Sequence, residues 1–407
     1  MFTDEFKESM AARAALCVIP FTYFIVFTGW FSRSMITVEI VAANNHVCPA
    51  YFQNCEWLYF LSALPDGYSQ SILYMFLFGV LTFAVYLLTQ KEWRLASLVL
   101  IIPYLWHGAN VFLFTDYANG NYEYYLFLFT SIILFFPHKE FFAKLMLVMF
   151  YVLSTFAKVH PAWIAGTYFT NLQTGLPIFP NWSIPLWTNF IILAELIGAW
   201  FLLSSRPILQ RTALAFFVAF HLYSGILVGY RYPATVLPMV LAVFGPWYRY
   251  QVPPFTKRSV IGWSLMVLLI CFQMLPKLIP GDEKLTLEGN QYGLYMFDSN
   301  HQCISEAIIY YRNGEVRQNL DAAVLARDRC GPYRYWYRFN NVCDANDEVE
   351  RISWKLDHSI NGEPFLRIID IPDACAVEYH PFKHNEWIKT HEDNPEVIGR
   401  PFKNLYY

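Results

Sequence analysis

Long apolar runs separated by short polar connections fill the first two thirds of the chain, and the pattern changes after Pro280. About 20 helical residues cover roughly 30 Å of hydrocarbon. By that measure the sequence predicts nine membrane spans, at 13–31, 70–89, 93–114, 122–137, 140–158, 185–204, 208–229, 233–248 and 259–279. The fourth and eighth are short, as tilted or interrupted helices would be. Beyond Pro280, charged residues mix with alternating apolar ones, the signature of half-buried strands. Residues 308–312 meet Glu315 and Val316 through Asn313-Gly314, and 352–356 approach 365–369 around Asn361-Gly362, so each Asn-Gly pair predicts an antiparallel hairpin. The aromatic alternation over 333–339 predicts another strand, with an amphipathic surface on the bilayer interface as the alternative. From about His384 no period is visible. The predicted architecture is an α-helical polytopic membrane domain of about nine transmembrane helices over 1–280, followed by an extracytoplasmic β-rich domain over 281–407.

Charge orients this arrangement. One set of connections holds Lys7, Arg13, Lys91, Arg94, Lys139, Lys144, Arg206, Arg211, Arg249, Lys257 and Arg258, whereas the opposite set has little beyond Arg33, Lys158 and Arg231. Lys and Arg stay on the cytoplasmic side, so the amino terminus is predicted to be cytoplasmic and the carboxy-terminal domain to face the periplasm, the cell exterior or the ER lumen. The first span lacks a cleavage-site pattern and reads as an uncleaved signal anchor. Six of the eight cysteines fall on the outer side: Cys48 and Cys55 in the first outer loop, and Cys303, Cys330, Cys343 and Cys375 in the tail. Disulfides persist outside the reducing cytosol, so these six are predicted to be oxidised, with pairing open and a link from Cys48 or Cys55 to the tail among the options.

Composition narrows the function classes. Hydrophobic residues at 56% against charged residues at 15% exclude an ordinary soluble globule, and 36 Phe, 28 Tyr and 13 Trp exclude a disordered chain. A net charge of -3 offers no basic footprint for nucleic acid. No His or Cys pair has metal-ligand spacing within a span, and His380 and His384 read as a solvated face, so no metal is predicted. Asn181-Trp182-Ser183 is a glycosylation sequon lying close to the predicted outer bilayer surface.

Ionisable groups at bilayer depth are expensive and are candidates for function. Lys158 ends the fifth span about 27 Å from Glu140, near the outer interface, where a lysine commonly snorkels its ammonium to water. Glu195 sits mid-span and must be neutral, paired or facing a polar cavity, a helix–helix hydrogen bond being the plain alternative. His107 and His221 each lie about 21 Å along spans that start at the cytoplasmic face, and either serves equally as a hydrogen-bonded packing residue. All four project to the middle or outer half of the bilayer. A single outward-facing cavity lined with aromatic residues would suit a flat apolar ligand such as a quinone.

The order of these features resembles the vitamin K-dependent gamma-carboxylase family and its bacterial relatives built on the horizontally transferred transmembrane (HTTM) domain. The most specific piece is Ala157-Lys158-Val159-His160-Pro161-Ala162-Trp163-Ile164-Ala165-Gly166, similar to the family's Lys-Lys-Leu-Asp-x-x-Trp-x-x-Gly segment. Phe220-His221 with Ser224, then Tyr292-Gly293-Leu294-Tyr295-Met296, then 308–315 follow in the expected order. The resemblance implies that Lys158 is the base that deprotonates reduced vitamin K or another quinol. Oxygen and carbon dioxide would be co-substrates, and a glutamate of a secreted or membrane protein would be carboxylated at its γ-carbon. Such a base works as the free amine, a form that burial away from water favours, and the strongly basic species formed with oxygen survives only where water is excluded. Glu195 and His221 are the expected supporting groups, and Tyr122, Asn121, His107 and Trp163 the expected quinone-binding residues. The chain departs from the family in having Ala157 for the first lysine, Pro161 within the motif, and Asn121-Tyr122 in place of an Asn-His pair. A non-catalytic family member that binds a quinone, a lipid or a membrane protein partner as an assembly subunit is the alternative expectation. A transporter is a weaker one, since no repeat relates the two halves.

Overall fold

The computed structural model describes residues 4–27, 47–55, 68–114, 121–170, 175–279, 284–293, 300–323 and 330–399. It is mostly helical, with a carboxy-terminal antiparallel sheet. The helices are α1 (Met10–Phe27), α2 (Tyr68–Thr89), α3 (Trp93–Val99), α4 (Ile101–Ala109), α5 (Asn121–Phe135), α6 (Lys139–Phe156), α7 (Ile184–Leu196), α8 (Pro207–Val228), α9 (Arg231–Phe244), α10 (Lys257–Leu278) and α11 (Pro332–Ala345), with shorter helical turns between them. The chain forms two compact units, one of Met1–Leu153 with Leu193–Ile270 and one of Ser154–Ile192 with Cys271–Tyr407, so the boundaries fall inside α6, α7 and α10.

The nine expected spans are not supported. Among the described residues four helical segments are long and apolar enough to cross a membrane: Met10–Phe27, Trp93–Leu113, Asn181–Leu203 and Lys257–Leu275. The reasons are visible in the other segments. Helix α6 carries Lys139, Glu140 and Lys144 in its first turns, and α8 carries Gln210, Arg211 and His221. The fourth and eighth expected spans become helices of 15 and 14 residues, which at 1.5 Å per residue fall short of the hydrocarbon thickness. The span expected at 93–114 is not a uniform α-helix: its regular pattern is interrupted at Leu100, between α3 and α4, and a π-helical turn, Asn110–Phe114, closes it.

In the first unit, α1 packs against α9, α2 and α5, and α5 also meets α4 and α9. The start of α6 is held by distant residues. The Glu5 carboxylate accepts hydrogen bonds from the backbone amides of His138 and Lys139 at 2.7 and 2.8 Å, and Ser9 Oγ donates to Glu140. Glu5 thus does from across the chain what an N-cap side chain does locally, and its negative charge suits the positive end of the helix. The Cys48–Cys55 disulfide closes a short loop in this unit, from which Tyr51 donates to the carbonyl of Phe112 in the π-helical turn. That local pairing replaces the link to the tail that the sequence left open.

In the second unit, five strands form one antiparallel sheet in the order β2-β1-β3-β4-β5: β1 (His301–Tyr311), β2 (Val316–Ala323), β3 (Val349–Ile360), β4 (Phe365–Ile371) and β5 (Val397–Gly399). Both Asn-Gly hairpins are present. Tyr310 pairs with Val316 across the first, and Leu356 with Ile369 across the second. At the second turn Asn361 and Gly362 take φ values of 53° and 80°, the positive pair that a type I′ turn requires.

Residues 333–339 form helix α11, not a strand. Gly331 and Pro332 start it, and Tyr333, Trp336 and Tyr337 follow at helical spacing onto the buried face. The aromatic alternation misled because Tyr335 and Phe339 are buried too, so nearly the whole segment packs against β3, where Phe339 and Tyr335 contact the Trp354 ring. Cys303–Cys330 and Cys343–Cys375 complete the set of three disulfides, the second tying the end of α11 to the turn after β4. The chain after His384 is an ordered strap as far as Gly399: Lys389 N donates to Ile368 O, Thr390 and Asp393 form a capping box, and β5 pairs with β4. Apolar helices and oxidised cysteines together fit a membrane protein with a part exposed to an oxidising compartment.

Cys343→Ser with Cys375→Ser opens a loop of 32 residues, for which chain entropy gives a loss of about 3–4 kcal/mol. Peptide mapping under non-reducing conditions should recover all three linked pairs from the wild type. Denaturant unfolding of this variant should show the loss. Recovery of a Cys48 or Cys55 peptide joined to the tail would contradict the pairing.

Candidate functional site

The polar residues singled out in the spans fall into separate groups, and the helices decide which. Helix α5 has 100° between successive residues, so Glu123 and Tyr125 point to nearly opposite sides. On one side Glu123 Oε2 meets His107 Nε2 of α4 at 2.7 Å, and both side chains are 0% exposed. Tyr23 of α1 packs edge-on against the His107 ring at 5.4 Å. Just beyond His107 the chain enters the π-helical turn, where Asn110 bonds back to Trp106 O. Such turns often mark functional positions in helices. His107 is therefore not a lone packing histidine but half of a buried pair with a carboxylate.

On the other side of α5, Tyr125 enters a second group that draws on five helices. Its ring lies 4.0 Å from Phe150 and 5.8 Å from Tyr232 of α9. His221 of α8 bonds through Nε2 to the hydroxyl of Tyr151 on α6, and its ring lies 5.2 Å from Tyr232. Glu195, near the end of α7 and 1% exposed, lies within electrostatic reach of both Tyr151 and Tyr232. Tyr151 is thus hydrogen-bonded to His221 and within electrostatic reach of Glu195. A carboxyl, an imidazole and phenols in one apolar interior can hold a proton and pass it between neighbours, since each is a donor or an acceptor according to its protonation state.

Lys158 and Trp163 belong to the second unit. Lys158 follows the end of α6 in a tight turn, in which its amide donates to Thr155 O and its carbonyl accepts from His160 N. Its side chain is 1% exposed, and Nζ stands 5.9 Å from the centroid of the Trp163 ring. A snorkelling lysine would leave its ammonium in water, so burial removes that reading. Pro161 opens a short helical turn, Pro161–Ile164, that carries Trp163 back beside Lys158. Trp163 donates to Thr188 O at 3.0 Å and packs against Tyr168 and Phe169, each at 5.2 Å. Lys284 Nζ donates to the carbonyl of Ala157 at 3.0 Å, fixing the turn from the start of the tail.

The side chains of Asn121 and Tyr122 lie outside the described residues, as do Leu294, Tyr295 and Met296. His384 is only partly solvated: Nδ1 bonds the buried Glu288 carboxylate at 2.6 Å, and Asn385 binds the other oxygen of that carboxylate. Among the described residues no three His, Cys, Asp or Glu side chains gather as a metal site needs. Sequence reasoning missed Glu123, Tyr125, Tyr151 and Tyr232. For Glu123 a signal was available, since it is an acidic residue at the second position of a predicted span. The tyrosines gave none, being indistinguishable from the other aromatic residues of the helices. The chain matches no protein-family model, no curated protein and no solved structure.

Removing one partner of the buried pair should cost more than the pair is worth. An interhelical hydrogen bond in a membrane contributes only about 1 kcal/mol, but a carboxylate left bare in the interior costs about 3–5 kcal/mol. His107→Leu should therefore destabilise the protein strongly, while His107→Leu with Glu123→Leu should recover most of the loss. A double-mutant cycle by denaturant unfolding in detergent reads this, and additive losses would show that the two side chains do not depend on each other.

Proposed function

We propose that the chain is a multi-pass membrane protein with a cytoplasmic amino terminus and an extracytoplasmic tail, α2, of 22 residues, supplying a fifth crossing beside the four long apolar segments. We read it as a quinol-dependent enzyme similar to the gamma-carboxylases. The observation that carries this reading is the Lys158 turn: an amine 1% exposed, set beside Trp163 in the one segment that most resembles the family motif. The residues present fit a quinol, because the amine can act as a base and Trp163, Tyr168 and Phe169 form an aromatic group beside it. A reduced quinone would supply the reducing power that, with oxygen, drives proton removal from a protein glutamate and its reaction with carbon dioxide. Lys158 Nζ takes a phenolic proton and becomes an ammonium. Trp163, held by Thr188 O, keeps the ring face oriented and excludes water. Glu195 and His221 form, with Tyr151, a separate proton-handling group within the first unit.

A second reading has its own support. Ala157 and Asn121-Tyr122 stand where the family has a lysine and an Asn-His pair, and a chain that binds quinone, lipid or a membrane protein partner without catalysis accounts for both changes.

The test is hydroquinone-dependent epoxide formation by the purified protein, supplied with reduced vitamin K or menaquinol, oxygen and bicarbonate. Wild type should form epoxide, and Lys158→Ala should lose about 100-fold or more, as removal of a general base does. A wild-type protein that makes no epoxide with any quinol, yet co-purifies with a tightly bound quinone, would replace the enzyme with the binding reading.

A further inference from the structure

The first unit has an open cavity of about 500 Å³ near the start of α6, lined by Phe141, Met149, Trp200, Trp263 and Met266 among others. That volume falls within the range of ordinary small-ligand sites, about 300–1,000 Å³. The wall is almost wholly apolar, and its polar members are Lys144 and the run 248–251. These meet at one place, because Lys144 Nζ donates to Arg249 O at 2.8 Å and lies 4.4 Å over the Tyr248 ring. Lys144 is already matched in charge, since it also donates to the Glu140 carboxylate. The exposed cation at this end is Arg249.

The connections that frame it are basic. Residues 204–211 and 249–258 hold Arg206, Arg211, Arg249, Lys257 and Arg258 and no acidic residue, and the Glu140 carboxylate is already paired with Lys144. Helix α10 contributes Trp263 and Met266 to the wall and is among the four helices apolar enough to cross a membrane. Its Val260, Ile261 and Leu268 are exposed, as a hydrocarbon-facing side would be. Lys257 and Arg258 begin that helix, and Trp263 lies about 9 Å further along it from Lys257, the succession of basic then aromatic residues expected at a headgroup boundary. An occupant must therefore be apolar along its body, anionic at one end and supplied by the bilayer.

We propose that this cavity binds an anionic phospholipid, one acyl chain lying among Trp200, Trp263 and Met266 and the phosphate meeting Arg249. Nothing in this assignment depends on the role of Lys158.

The full-length protein in detergent, titrated with dioleoyl phosphatidylglycerol or dioleoyl phosphatidylcholine and read by non-denaturing mass spectrometry, tests the site. The wild type should retain phosphatidylglycerol in preference to phosphatidylcholine, and Arg249→Gln, a change at an exposed side chain, should weaken that preference about fivefold. Met266→Trp, which narrows the cavity where the acyl chain would lie, should weaken retention. Phosphatidylglycerol with brominated chains locates the chain in the otherwise unchanged protein, because the bromine should quench fluorescence that is missing from Trp200→Phe with Trp263→Phe. Equal retention of the two lipids would overturn the proposal, as would quenching unaltered by the two tryptophan substitutions. Inorganic phosphate at millimolar concentration should not displace the lipid; displacement would make the site one for free phosphate and overturn the lipid assignment.

Discussion

A polar side chain among apolar helices has no water to turn to, and this constraint shapes the interior of the first unit. Helix α5 meets it twice. Its Glu123 and Tyr125 face opposite ways, one toward His107 and Tyr23, the other toward Tyr232 and Phe150. Each group needs partners from other helices, so the position of α5 is specified on two sides by directional contacts as well as by packing. The second group extends this through Tyr151 to His221 and Glu195 on two further helices. Buried polar groups of this kind add little net stability, since desolvation offsets most of their attraction, but they disfavour other arrangements of the same helices.

Helix α6 shows how one element serves several chemistries along its length. Its amino-terminal end is capped by Glu5 and braced by Ser9, Glu140 and Lys144. Two turns beyond Lys144, about 10 Å along the helix, Tyr151 reaches His221. After Phe156 the helix ends, and the turn that follows buries Lys158 before Pro161 redirects the chain. Fixing the first turn with an acidic residue from the amino terminus sets the rotation of the whole helix, and rotation decides which side chain meets which neighbour.

The tail relies on different physics. Its sheet is pinned by two tight turns and its one helix by an aromatic face, with Trp354 at the centre between Phe339, Tyr335 and Trp387 and its indole donating to Ser305 Oγ. Both disulfides there join segments close in space but about thirty residues apart, which limits the unfolded chain more than it strengthens the folded one.

The sequence by itself determined the features that depend on neighbours along the chain. Apolar length marked the long helices, Asn-Gly marked both hairpins because each turn needs at least one positive φ angle, at Gly314 in the first and at Asn361 and Gly362 in the second, and the side of the membrane predicted for each cysteine marked the six that are oxidised. It could not count the crossings, because α6 and α8 carry charges that only their packing explains. It misread α11, where burial on nearly all sides erases the period that separates helix from strand. It named Lys158, Glu195, His221 and His107 because a charge or imidazole in an apolar run is conspicuous whatever surrounds it. It could not say that His107 belongs with Glu123, that His221 bonds Tyr151, or that Cys48 pairs with Cys55. Those pairings join residues on different helices or choose among fifteen cysteine arrangements, and they follow from helix rotation and from where the loops close. A pattern read along one dimension records what each residue must avoid, and only the tertiary structure supplies the partner that lets it do so.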